Sequence, residues 1–302
     1  MNKPRVAVTG MGVITPIGLN VEEFWAGLVA GKSGVGPITR FDTSNFRVKV
    51  ASEVKGFDPT KYMGPKVIDR TPRCVHFAIA AAKEAIGQAQ LDMSKERSER
   101  VGIVIATLVE TGYLAKANEL LQKYGPRRAD PLFITKTSPS VASMQVGMLL
   151  GAQGPNTSVN SLCASGADAI GIALNFLQLG HADVMIAGGT DATLRPTSIA
   201  GLDVLGALTR EADPSKACRP FDLNRNGFVY GEGAGILVLE TYEHARNRGA
   251  PLLAEIAGAG WSFDAYNETA PSPEAEVFAM EAALRGAGIT PKDVDYINAH
   301  GT

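Results

Sequence analysis

Cysteine, histidine and tryptophan are scarce, with three, four and two in 302 residues. Cys74, Cys163 and Cys218 show neither the pairing pattern of a disulfide framework nor metal-ligand spacing, which excludes both and points to a reducing compartment. An excess of one charge is lacking too. The formal net charge is −2, so nothing marks the chain as a partner of nucleic acid or of an anionic membrane. No apolar stretch reaches the length needed to span a bilayer, and the opening MNKPRVAVTG has no apolar run of the signal-peptide kind. These absences leave the cytoplasm as the expected location. What is there is a hydrophobic fraction of 45%, enough for a sizeable core, and 33 glycines. The glycines flank predicted strands or sit in alanine-rich helices, not in low-complexity linkers.

The chain is organised around PNTSVNSLCASGADAIGIALNFLQLG, from Pro155 to Gly180. Asn156 to Ser161 alternate as a strand does, and the apolar run from Ala164 to Leu179 has helical spacing and is too long for a strand. Cys163 stands at the joint. Unpaired N–H groups and the positive dipole end of a helix stabilise a thiolate there, which is how a protein makes a nucleophile from cysteine. The bland alternative is that Cys163 is core packing, the commoner fate of a lone cysteine. The helix behind it carries Gly166, Ala167, Ala169, Gly171 and Ala173 and reads as apolar on nearly all sides, with other backbones packed closely around it.

Earlier in the chain, Arg5 to Thr9 predicts a strand, GMGVITPIG a loop, and Val21 to Val29 a helix capped by Asn20. This is not a dinucleotide fingerprint: Thr15 takes the place of the third glycine and Pro16 delays the helix. Residues 31–64 read as surface loops with one or two short extended pieces, and Lys123 to Lys136 as loop. Helices are expected over Phe77 to Gln90, Ser140 to Leu150 and Thr197 to Leu205, and strands over Val101 to Ala106 and Asp183 to Gly188. Asn226-Gly227 signals a hairpin. Gly231, Gly233 and Gly235 alternate into a strand ending at Glu240, with one glycine face expected against another backbone.

The last fifty residues repeat an earlier part. Leu252 to Gly260 has the strand and Gly-x-Gly outline of Arg5 to Gly12, and Val294 to Asn298 matches Val101 to Ile105 as a strand. FAMEAALRGAGI lays on FAIAAAKEAIGQ with Phe278 on Phe77 and Ala279, Ala282 and Ala283 on Ala78, Ala81 and Ala82. An internal duplication follows, with a first half over residues 1–249 bearing Cys163 and the start of an incomplete second half over residues 250–302. The expectation is a fragment of a longer protein. Cys163 and His300 then stand at corresponding strand ends of the two halves, where ligands bind in α/β folds and where a thiol and an imidazole form a nucleophile and acid/base pair.

VAVTGMGVITPIG, FWAGLVAGKSGVGPITRFD, GPRRADPLFI, SLCASGADAIG, ADVMIAGGTDA, CRPFDLNRNGFVYGEGAGILVLE, FDAYNETAPSP and YINAHGT together resemble the β-ketoacyl-acyl-carrier-protein synthases of the elongating, synthase II type, members of the thiolase-fold condensing enzymes. The resemblance covers the whole chain. It implies an α/β fold of duplicated, thiolase-like αβαβα layers with the second half truncated. It implies decarboxylative condensation of an acyl thioester with malonyl-acyl carrier protein, in fatty-acid or polyketide chain elongation. Cys163 would be the acyl acceptor, with its N–H as one oxyanion donor, and His300 one of two active-site histidines. Thr302 would contact pantetheine, and Leu108, Phe133 and Leu202 would line the acyl pocket. No cofactor is implied beyond the phosphopantetheine of acyl carrier protein, which carries the substrates. The partners would be acyl carrier protein, acyl and malonyl thioesters and a second copy of the chain, joined at the strand Thr157 to Ser161.

There are departures. The family's second histidine, its nearby lysine and its oxyanion loop have no counterpart in these 302 residues, so the isolated chain is expected not to complete a condensation. Thr107-Leu108-Val109-Glu110 replaces a glycine-rich turn, Asn267 stands where histidine is common, and Asp168 adds a carboxylate one turn into the nucleophile helix, facing mostly away from Cys163. Three rivals remain: a silent chain-length-factor-like partner, against which Cys163 argues; a thiolase-like enzyme of coenzyme A thioesters, against which Asn-Ala-His-Gly-Thr argues; and a packing role for all three cysteines.

Overall fold

The computed structural model describes residues 3–109, 111–267 and 270–302. Glu110 of the Thr107-Leu108-Val109-Glu110 stretch, and Glu268 and Thr269 of the FDAYNETAPSP segment, lie outside the described residues, as do Met1 and Asn2. The strands are β1 (Val6–Ile14), β2 (Val35–Pro37), β3 (Val50–Ser52), β4 (Val101–Ala106), β5 (Asn156–Thr157), β6 (Val184–Asp191), β7 (Gly233–Thr241) and β8 (Ala254–Glu255). The helices are α1 (Val21–Val29), α2 (Pro65–Arg70), α3 (Arg73–Ala89), α4 (Thr111–Tyr124), α5 (Phe133–Thr137), α6 (Val141–Leu150), α7 (Ser165–Gln178), α8 (Pro196–Val204), α9 (Pro214–Ala217), α10 (Tyr242–Asn247) and α11 (Pro273–Ala287).

A mixed six-stranded sheet, ordered β5-β4-β6-β7-β1-β8, is the centre of the molecule. β4 runs parallel to β5 and β6, and β7 runs antiparallel to β6 and β1. Its central strands have no polar face, because helices cover both sides. Ile103 and Ile105 of β4 and Val184 and Ile186 of β6 pack with α3 and α6. The alternate residues, Val104, Ala106, Met185 and Ala187, pack with Ala169, Ala173, Leu174 and Leu177 of α7. The expected helix–sheet–helix layering is therefore present.

The glycine pair near the N-terminus lies in a strand, not in the expected loop. β1 runs on through Gly10-Met11-Gly12 to Ile14, pairing with β7 as far as Ala234 after an irregularity between Val8 and Gly10. A Cβ at Gly10 would overlap the carbonyl oxygen of Ala85, and one at Gly12 that of Ala81. The glycines let α3 lie directly on the strand, and no phosphate-binding loop is left there.

The joint is built a second time. Cβ atoms at Gly258 and Gly260 would overlap the carbonyl oxygens of Ala283 and Ala279 in α11. Both helices end on a left-handed residue, Gln90 (φ 52°) and Gly288 (φ 69°). The duplication is thus real, but Ala81 and Ala85 correspond to Ala279 and Ala283, three residues off the alignment that sets Phe278 on Phe77. Three residues is almost one helical turn, so periodicity cannot separate the two registers. The two copies also differ in what surrounds them. β8 pairs with β1 over two residues only, no residue of α11 is buried, and Val294 to Asn298 form no strand among the described residues. A strand needs a partner's backbone, and sequence alternation does not supply one.

Smaller differences have similar causes. The expected strand over Asn156 to Ser161 is regular only at Asn156–Thr157, where it meets β4 at the sheet edge. Asn226-Gly227 makes no hairpin: Gly227 (φ 126°) admits the backbone of Leu208 and Thr209 instead. Of Gly231, Gly233 and Gly235, only Gly233 is closely approached through its missing Cβ, by Ile14. Residues 31–64 are not all surface, since Val48 and Ala51 are buried in a core with Ile38, Leu194, Ile199 and Leu208. Lys123 to Lys136 contains the start of α5, and α4 was not foreseen.

Candidate active site

Cys163 sits in one turn of 3-10 helix, Leu162–Ala164, that feeds α7. Leu162 takes the left-handed conformation (φ 57°), uncommon for a branched apolar residue. Side chains pin this turn. The Ser161 N–H donates to the Ser165 hydroxyl (2.8 Å), which donates to the Leu162 carbonyl (2.6 Å), and the Leu162 N–H reaches the Asn160 side-chain oxygen (3.3 Å). Cys163 is exposed, as is Cys218, while Cys74 is buried on α3. The core-packing reading therefore describes Cys74 and does not describe Cys163.

α7 is a firm seat, although not an apolar one all round. Ala169, Gly171, Ala173, Leu174 and Leu177 are buried, whereas Ala167 and Asn175 face outward. Asp168, in the first turn, is taken up by two donors. Its Oδ2 accepts from the Ser161 hydroxyl and its Oδ1 from the Trp261 indole N–H (2.8 Å). The Trp261 ring lies over Gly171, where a Cβ would overlap it. Trp261 follows β8, so this carboxylate ties α7 to the part of the chain after residue 249. No local sequence pattern announces a contact between positions 168 and 261.

His300 is exposed and lies in the irregular stretch after the 3-10 turn Pro291–Asp293, not at the end of a strand as expected. Next to it, Gly301 (φ 64°) is seated against Pro220 and Phe221, whose side-chain carbons would lie 3.4 and 3.8 Å from a Cβ there. Gly301 thus sits against the CRPFD segment. Thr302 is exposed. The three acyl-pocket candidates separate. Phe133 lines an open apolar cavity of about 550 Å³ with Leu114, Leu121, Pro131 and Ile134 of the α4–α5 region. Leu202 packs instead on the core of Leu194, Ile199 and Leu208, and Leu108 is half-buried just past the end of β4.

Two ionic clusters brace the first half. Glu232 is buried and takes Arg40 (2.7 Å) and Arg73 (3.2 Å) as well as the Val54 N–H. At the end of β7, burial pushes the Glu240 carboxyl up, but hydrogen bonds from Arg248, His244 and Thr9 outweigh it and hold it at about 2. His244, bonded to Glu240 (2.7 Å) and Glu96 (2.9 Å), is raised above the ordinary imidazole value, chiefly by the Glu240 bond. Glu240, His244 and Arg248 are spaced four apart, a signal that the sequence carried. Among the described residues no group of three or more ligating side chains could hold a metal ion, and no helix is long and apolar enough to cross a membrane.

Comparison with known proteins gives these features a lineage. Residues 3–245 match the N-terminal domain of β-ketoacyl synthase and residues 253–302 its C-terminal domain. The chain is 42% identical to a 3-oxoacyl-[acyl-carrier-protein] synthase 2 of Vibrio cholerae, across all of this chain and 74% of that protein. It is 45% identical to one of Staphylococcus aureus, across 99% of this chain and 73% of that protein. Among solved structures it overlays the ishigamide ketosynthase/chain length factor with a TM-score of 0.91 at 36% identity, covering 100% of this chain and 74% of that one. It overlays a type II polyketide ketosynthase in complex with its acyl-carrier protein with a TM-score of 0.90 at 33% identity, covering 99% and 74%. With both domain models matched in order over nearly every residue, the chain belongs to the β-ketoacyl synthase family.

Proposed function

We propose that this chain carries the acyl-accepting half of a 3-oxoacyl-acyl-carrier-protein synthase. The observation that carries the reading is an exposed thiol in a pinned turn at the head of a half-buried helix, in a chain matching the family along its length. Cys163 Sγ attacks the carbonyl of an acyl thioester and the pantetheine thiol of acyl carrier protein leaves, so the acyl group passes to Cys163. The Cys163 N–H, in the first turn of helical backbone, has no carbonyl of a preceding turn to bind and is directed to the oxyanion. Loss of CO2 from malonyl-acyl carrier protein then gives the carbanion that attacks the acyl-Cys163 thioester, with His300 as one of the imidazoles serving that step. Thr302 touches pantetheine. Leu108, Phe133 and Leu202 are assigned to the acyl pocket, and the cavity beside Phe133 supports that assignment for Phe133.

Residues 1–249 form the half that bears the nucleophile, and residues 250–302 open the second. No cofactor is needed beyond the pantetheine arm of acyl carrier protein. A cytoplasmic homodimer completes the reading, and the edge position of β5 supports a second copy joining the sheet there. The presence of Cys163 separates this reading from a silent chain-length-factor-like role. The test is acylation from an acyl thioester followed by peptide mapping, with iodoacetamide as a second probe. Label on Cys163, faster than on Cys218 and absent from Cys74, is the expected result. Equal labelling of Cys163 and Cys218, or acyl transfer surviving Cys163→Ala, overturns it.

A further inference from the structure

We infer that Asp168 is a positioning residue for the thiol of Cys163, holding the Ser161–Cys163 arm in place from the second half of the chain through Trp261. The inference rests on the reading of Cys163 as acyl acceptor. After β5 ends at Thr157, the chain reaches Cys163 through residues outside any strand, so the sheet does not fix the thiol. The arm also passes through Leu162 in a left-handed conformation, which persists only where the surroundings impose it. Ser165 and Asn160 hold Leu162 itself, and the Asp168 carboxylate anchors the residue before it. One oxygen takes the Ser161 hydroxyl, two residues before the thiol, and the other takes the Trp261 indole. Each oxygen thus has its own donor, and charge-assisted bonds to two fixed partners confer direction.

The third member is equally constrained. The edge of the Trp261 ring fills the space over Gly171 that any side chain there would need, so it sits against α7 about one turn beyond Asp168. Its backbone follows Gly258-x-Gly260, the pair locked onto α11. A displacement of α11 therefore moves Trp261, and Trp261 moves Asp168 and the arm. The carboxylate is the joint by which the half carrying His300 sets the position of the thiol. Asp168 does not touch substrate in this account.

The test measures acylation of Cys163 in the full chain by octanoyl-N-acetylcysteamine, giving a saturating rate and a half-saturating concentration. Because misplacing a reacting group by about 1 Å costs large factors, Asp168→Ala is expected to lower the saturating rate about tenfold with the half-saturating concentration within about twofold. Asp168→Asn should recover most of the rate, since its carbonyl still accepts from Trp261 and its amide can donate to the Ser161 oxygen. Ser161→Ala and Trp261→Phe should each slow the reaction, and Asp168→Ala with Trp261→Phe should be no slower than Asp168→Ala alone. Thermal midpoints run alongside, and Ser161→Ala removes one arm with no change in packing volume worth the name. An unchanged rate in Asp168→Ala, an Asp168→Asn as slow as Asp168→Ala, or losses that multiply in the double variant overturn the positioning role alone. A parent chain labelled elsewhere than Cys163 overturns the acyl-acceptor reading and this inference with it.

Discussion

The same joint, a Gly-x-Gly strand laid on an alanine face, occurs twice in this chain with different results. At Gly10 and Gly12 it lies in a nine-residue strand, against a helix with eleven buried residues. At Gly258 and Gly260 the backbones approach as closely, but the strand beside them is two residues long and the helix has no buried residue. The local contact is identical in kind and the burial around it is not. Close approach of two backbones is written locally, whereas strand length and burial depend on neighbours: β1 has β7 and β8 on its two sides, and β8 has only β1 among the described residues.

Substitutions can break this comparison. Gly12→Val drives a side chain into the Ala81 carbonyl in a packed core and should cost more than about 4 kcal/mol or prevent folding, against about 1–2 kcal/mol for Gly260→Val, where α11 can move outward. Urea denaturation of the two variants measures the difference, and equal losses would show that the exposed copy is as rigid as the buried one. Phe77, fully buried, should lose about 3–5 kcal/mol on truncation to alanine.

The ionic brace of the first half adds a pH test. Glu240 has its folded value below its unfolded one, so its stabilisation is present above about pH 4.5 and is lost as pH falls toward about 2. The size is about 3 kcal/mol at neutral pH. His244 has its folded value raised, so its contribution is present below the ordinary 6.5 and fades as pH rises through the raised value. Thermal midpoints should therefore be highest between these limits, and Glu240→Gln should flatten the acid limb. A parent whose midpoint is unchanged from pH 5 to pH 3 contradicts the brace. The smallest effect is expected at Phe278, which is 55% exposed: its truncation should change stability by no more than about 0.5 kcal/mol. A loss like that of Phe77 would restore the Phe-on-Phe alignment that the structure rejects.

Much of the site was legible in order along the chain. The helix after Cys163 follows from the helical spacing of Ala164 to Leu179 and is present as α7, whereas the strand expected to reach Ser161 ends at Thr157, and the exposure of the thiol was not readable from spacing. The duplication was legible from paired glycines, while its helix register was not, because a shift of nearly one turn preserves the apolar face. His300 was read onto a strand that does not form. Asp168 was read as facing away from the thiol, and its partner Trp261 comes from ninety-three positions along the chain.

By itself the sequence determined the family, the thiol at a helix start, the repeated Gly-x-Gly joints and the absence of disulfide or metal-ligand spacing, because each is written in residue type and short spacing. Only the tertiary structure decided which copy of the repeat is buried, how long each strand runs, which cysteines are exposed, and that Trp261 holds the Asp168 carboxylate of α7. Strand length, burial and long-range hydrogen bonds are properties of what lies beside a residue in space, and local sequence spacing carries no record of that neighbour.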